Sequence, residues 1–75
     1  MTIEGKETPE ERFRRLATRR TNNVLDGLRK LGNLSSKTNY KYSEEDVERI
    51  FTAIYEAVAD IEARFSKQDK RDFHL

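Results

Sequence analysis

The chain is 75 residues long, carries 15 Lys/Arg against 14 Asp/Glu, and contains no cysteine and a single histidine. That length holds one small domain at most, and the absence of cysteine and the single histidine exclude disulfides, thiolate zinc sites and any multi-histidine metal site built within one chain. Natural domains of this size usually need a disulfide, a metal or a second subunit to offset chain entropy, so oligomerisation is the expected stabiliser.

The net charge of +1 hides an asymmetry. Residues 1–42 hold ten Lys/Arg and five Asp/Glu, a balance of +5, whereas residues 43–75 hold five and nine, a balance of −4. The opening residues Met1 to Lys6 lack a basic-then-apolar leader pattern, and no apolar run approaches the roughly 20 residues of a membrane helix. A cytoplasmic protein with no membrane association is therefore expected. Asn33-Leu34-Ser35 matches a glycosylation sequon, which is read as chance in that setting.

In chain order, residues 1–8 read as a flexible tail. A first helix is predicted over about 9–31. Thr8 stands at the N-cap, Pro9 at the first helical position and Glu11 three residues after the cap, which is the pattern of a capping box. Gly32 after Leu31 is the expected stop, where a left-handed residue satisfies the last carbonyls. Phe13, Leu16, Ala17, Val24, Leu28 and Leu31 fall on one face at about 100° per residue, and Leu25 lies at its edge. The opposite face carries Arg12, Arg15, Arg19, Asn22, Asp26, Arg29 and Lys30.

The segment from Gly32 to Tyr42 is long for a helix–helix loop, and it holds Leu34, Tyr40 and Tyr42. It is expected to fold back on the helix ends. A second helix is predicted over about 44–66. Ser43 caps it, Glu44, Glu45 and Asp46 suit the positive end of its dipole, and Tyr42 and Val47 take the positions of a hydrophobic staple. Val47, Ile50, Phe51, Ile54, Tyr55, Val58, Ile61 and Phe65 recur every three or four residues. Residues 67–75 lose that period and read as a second flexible tail.

The fold class is thus all-α: a hairpin domain over 9–66 whose helices, about 33–35 Å long by the 1.5 Å rise, pack antiparallel. Phe13 then meets Phe65, Val24 meets Ile54 and Leu31 meets Val47. The apolar sector of helix 2 spans about 160°, wider than one partner helix covers. A lone hairpin leaves Ile50, Ala57 or Tyr55 wet, so pairing of two hairpins into a four-helix bundle is expected.

Arg20 is the least expected residue. Its angle places it among Phe13, Leu16 and Val24, opposite Val58 in the antiparallel register. An unpaired buried guanidinium is strongly unfavourable, so it snorkels, pairs with a carboxylate such as Glu62, or reaches across an oligomer interface. Arg20, Ile50, Tyr55 and Val58 are the candidates for the oligomer surface. Gly27, a costly residue inside a helix, is expected to allow a close approach to Phe51.

Three readings of the exposed residues stand. In the first, the chain is a small non-enzymatic interaction module that self-associates and binds a partner protein through the basic helix 1 face (Arg12, Arg15, Arg19, Arg29, Lys30) and the loop (Lys37, Tyr40). In the second, the same arginine stripe contacts phosphates, as in a nucleic-acid-binding accessory or regulatory protein. In the third, the chain is a purely structural oligomer. Pairs such as Glu10–Arg14 and Glu11–Arg15 are the bland use of those charges, as is attraction between the basic and acidic helices. Catalysis is not expected: there is no cysteine, no histidine pair, no Gly-rich phosphate loop and no Glu-x-x-His for a carboxylate metal site, so no cofactor is predicted.

Arg19-Arg20-Thr21-Asn22, Leu31-Gly32-Asn33-Leu34-Ser35, Tyr40-Lys41-Tyr42-Ser43-Glu44-Glu45-Asp46-Val47 and Ile50-Phe51 together resemble a set of short bacterial proteins, some carried on mobile elements. The resemblance covers residues 11–65 or so and centres on a Gly-Asn-Leu-Ser loop between two helices. It implies a self-contained small domain and no particular activity.

Overall fold

The computed structural model describes residues 6–69. Expectations for residues 1–5 and 70–75, His74 among them, lie outside the described residues. Two α-helices and one short 3-10 turn make up the regular structure, and the described residues contain no strand. The chain divides into two units, one ending at Tyr40 and the other beginning at Lys41.

In the first unit, α1 runs Pro9–Gly32. Its start follows from local chemistry. The Glu11 backbone N–H donates to Thr8 Oγ1 at 3.1 Å, and the Thr8 N–H donates to Glu11 Oε1 at 3.0 Å. Two N–H groups that the first turn would leave without partners are satisfied by one reciprocal pair. Pro9 follows the cap, where its missing N–H costs no helical bond.

The far end departs from the sequence expectation. Gly32 is not left-handed: it lies at φ −61° and ψ −25°, inside the right-handed region. The chain tightens directly into a 3-10 turn, Asn33–Ser35, and the Asn33 N–H is directed at the carbonyls of Arg29, Lys30 and Leu31. Tightening satisfies the last carbonyls without the left-handed residue that a Schellman ending requires. Ser36 then turns extended, and its carbonyl accepts from the N–H groups of Tyr40 at 2.9 Å and Asn39 at 3.3 Å. The first part of the loop is thus a closed turn within its own unit.

In the second unit, α2 runs Glu44–Asp69, three residues beyond the predicted end. The Asp46 N–H donates to Ser43 Oγ at 3.0 Å and the Ser43 N–H donates to Asp46 Oδ2 at 3.1 Å. This is the same reciprocal arrangement as at Thr8, with the shorter Asp in place of Glu. Tyr42 and Val47, the staple positions, are both half-buried. The extension past Phe65 adds Ser66, Lys67, Gln68 and Asp69, of which none is a strong helix breaker. The end of apolar periodicity at Phe65 marks the end of the apolar face, not the end of the helical backbone.

Each helix carries its apolar residues on one side, and those side chains stand largely open. Phe13 is 56% exposed and Val24 60% on α1, and Tyr55 is 66% and Phe65 58% on α2. Among the described residues none is fully buried. Phe51 and Tyr55, one turn apart, bring their ring centroids to 5.9 Å at an interplanar angle of 35°, an aromatic contact along a single helix face.

Candidate interaction surfaces

The predicted basic stripe on α1 is not a uniform row of open charges. Arg15 is engaged by Glu7: its Nε donates to Glu7 Oε2 at 2.8 Å and its Nη2 to Glu7 Oε1 at 3.0 Å. Arg15 thus pairs with an acid eight residues upstream and not with Glu11, the acid that sequence spacing offered, whose Oε1 accepts from the Thr8 N–H. Glu10 and Arg14 make no ion pair among the described residues. Arg29 Nη1 donates to Asp26 Oδ1 at 2.9 Å, and Lys30 Nζ lies 3.2 Å from Asp26 Oδ2. One aspartate therefore serves two of the five stripe cations.

Arg12 and Arg19 remain exposed on one flank of α1, with no salt bridge among the described residues. Arg20, on the apolar side, is also exposed and has no salt bridge among them. Lys37 stands in the turn after the 3-10 segment, and Tyr40, 49% exposed, closes that turn. The stripe is thus brought together with two internal acids, Glu7 and Asp26. Asp26 was legible from its spacing of three and four residues to Arg29 and Lys30; Glu7 lies before the cap, where helical spacing gives no signal.

On electrostatics, the Glu7 carboxyl is held below the usual carboxylate range, chiefly by the hydrogen bonds from Arg15, opposed by some desolvation and helped by the charges of Arg15 and Arg12. Arg15 is raised in turn, first by the Glu7 hydrogen bond and then by its charge. These are surface effects, modest in energy and sensitive to salt.

The oligomer candidates all lie on α2 apart from Arg20. Ile50 is 39% exposed, Val58 47% and Tyr55 66%. With Phe51, Ile54 and Ile61 they form one continuous apolar sector. Acids border it: Glu44, Glu48 and Glu62 fall on the Tyr55 edge by the 100° step. By the charges within each helix, α1 holds seven Lys/Arg and three Asp/Glu, and α2 holds three and eight. The helices therefore differ in sign, at +4 and −5.

An open hollow on α2, lined by Glu48, Arg49, Thr52, Ala53 and Glu56, runs along the polar face of one helix. No group of three or more His, Cys, Asp or Glu side chains suited to a metal occurs among the described residues. No helix among them is long and apolar enough to cross a membrane. No protein-family model, curated protein or solved structure matches the chain.

Proposed function

We propose that this chain is a non-enzymatic interaction module. In this reading α1 and α2 form an antiparallel hairpin, two hairpins pair into a four-helix bundle, and a partner protein binds the basic α1 face and the 32–42 loop. The observation that carries it is the pair of exposed apolar faces. Phe13, Val24 and Leu28 on α1, and Phe51, Tyr55, Val58, Ile61 and Phe65 on α2, are all at least two-fifths exposed. Burial of each such side chain contributes roughly 1.5–3 kcal/mol, and monomers seldom leave contiguous apolar patches of this kind in water.

The partner surface rests on Arg12, Arg19, Lys37 and Tyr40. Exposed arginines and tyrosines are among the side chains most used at protein contacts. Sedimentation of the purified chain tests the first half: a dimer or larger species is expected, and a monomer mass at high concentration would refute it. Cellular cross-linking of the wild type against a variant altered at Arg19, Lys37 and Tyr40 tests the second. Loss of specific cross-links is expected, and an unchanged pattern would move the binding surface elsewhere.

The phosphate-binding alternative draws on the same Arg12 and Arg19. It is weakened by the engagement of Arg15, Arg29 and Lys30 with acids, and by a sequence pI near 8.0. Dedicated nucleic-acid domains usually exceed about 9. Binding to mixed-sequence DNA at low salt, lost steeply as salt rises, would favour it.

A further inference from the structure

We propose that Arg20 of one copy pairs with Glu62 of a second copy, within an antiparallel contact between α1 of the first chain and α2 of the other. The proposal rests on the self-association above and specifies its occupant and its polar contact. Three observations converge on it.

First, Arg20 lies on the apolar side of α1, seven residues after Phe13 and four before Val24, and has no salt bridge among the described residues. Covering that face strips water from the guanidinium, which then requires a carboxylate. Second, Glu62 is the acid most closely surrounded by apolar residues of α2, with Ile61 beside it, Val58 four residues before and Phe65 three after. It too has no salt bridge among the described residues, whereas Asp60 is engaged by Arg64 at 3.0 Å. Third, the charges of the helices, +4 on α1 and −5 on α2, favour α1 against α2 and disfavour either helix against its like.

When Phe13 stands level with Phe65, Arg20 is level with Val58 and Leu16 with Glu62. Side chains on a helix lean toward its N-terminus. Arg20 therefore leans toward the level of Leu16, which is that of Glu62, and Glu62 leans toward the level of Val58, which is that of Arg20. In an antiparallel pair the two converge across the one-turn offset.

The width of the α2 sector assigns the contact to a second copy. Its two edges, Ile50 and Ala57 on one side and Tyr55 and Glu62 on the other, need two covering helices, and each chain supplies one α1. A single chain has one α1, so covering both edges takes the α1 of a second copy, which in this proposal lies against the edge bearing Glu62.

Charge exchange between separately purified full-length chains tests this. Arg20→Glu and Glu62→Arg each place like charges together, so each alone should weaken dimerisation by about a hundredfold. Mixed one to one, they form a heterodimer in which both contacts are again opposite in sign. Sedimentation should return the mixture to within about threefold of the wild-type constant, by the same affinity arithmetic. Three results would overturn the proposal: single variants that dimerise normally, a mixture that stays monomeric, or recovery only when both changes occupy one chain, which makes the pair internal. A wild-type chain that is itself monomeric would instead refute the self-association on which the proposal rests. A dimer indifferent to the exchange would leave self-association standing and remove the pair.

Discussion

Arg15 grips Glu7 through two parallel hydrogen bonds, at 2.8 and 3.0 Å, and so ties the residue before the Thr8 cap to the second turn of α1. The fork geometry of guanidinium on carboxylate fixes both side chains at once. The Glu7 carboxyl is lowered by this contact. Because its folded value is depressed, the stabilisation is present above the ordinary glutamate range near ~4.3 and disappears as pH falls through the lower folded value. Following the Glu7 carboxyl by NMR should give a midpoint below the ordinary glutamate range. In Arg15→Gln the Glu7 midpoint should return toward the ordinary range, and an unchanged midpoint would show that the contact is not formed in solution.

Both helices begin with a hydroxyl that receives a backbone N–H and a carboxylate that returns the favour, at Thr8 with Glu11 and at Ser43 with Asp46. Removing such a cap costs about 1 kcal/mol. Thr8→Ala and Ser43→Ala should each lower the thermal midpoint seen by circular dichroism. Thr8→Asp and Ser43→Asp, which preserve an acceptor, should stay near wild type. An alanine variant as stable as the wild type would mean that the helix end frays in solution and the cap contributes nothing.

These starts were readable in the sequence because capping is local: the chemistry lies within four residues. The ends were not. Gly32 reads as a left-handed stop, yet the Asn33 N–H meets the last carbonyls through a 3-10 turn, and the glycine stays right-handed. Loss of apolar period after Phe65 read as the end of α2, though period reports burial and the backbone continues to Asp69. For the surface, the sequence reading did not pair Asp26 with Arg29 and Lys30, although their spacing of three and four residues carries that signal. It misassigned Arg15, which pairs with Glu7 before the cap, where helical spacing gives no signal.

The two helical glycines of α1 make separable predictions. A Cβ at Gly27 or at Gly32 meets nothing within 4 Å. Alanine at either position should therefore stabilise α1 by roughly 0.5–1 kcal/mol through the lower entropy of the unfolded chain. Gly27 lies on the edge of the apolar face near Arg20, whereas Gly32 stands at the helix end. If α1 docks closely at Gly27, Gly27→Ala should raise helicity and weaken self-association, while Gly32→Ala should raise helicity alone. Association unaffected by both changes would place the close helix approach elsewhere on α1.

Asp26 offers the sharpest handle on the basic face, because one carboxylate answers Arg29 at 2.9 Å and Lys30 at 3.2 Å. All three side chains are at least half exposed, so the pairs add little to stability, about 0–1 kcal/mol each. Asp26→Asn should therefore leave the melting curve nearly unchanged while releasing two cations and adding one net positive charge to α1. If the basic face meets an acidic surface, binding of that partner should tighten and become more salt-dependent in the Asn variant. The control is Asp60→Asn, which releases Arg64 on α2 and leaves the α1 charges as they are. Tightening by Asp26→Asn but not by Asp60→Asn assigns the contact to α1. Equal effects from both would mean that binding follows total charge, and the stripe would lose its claim to be the recognition surface.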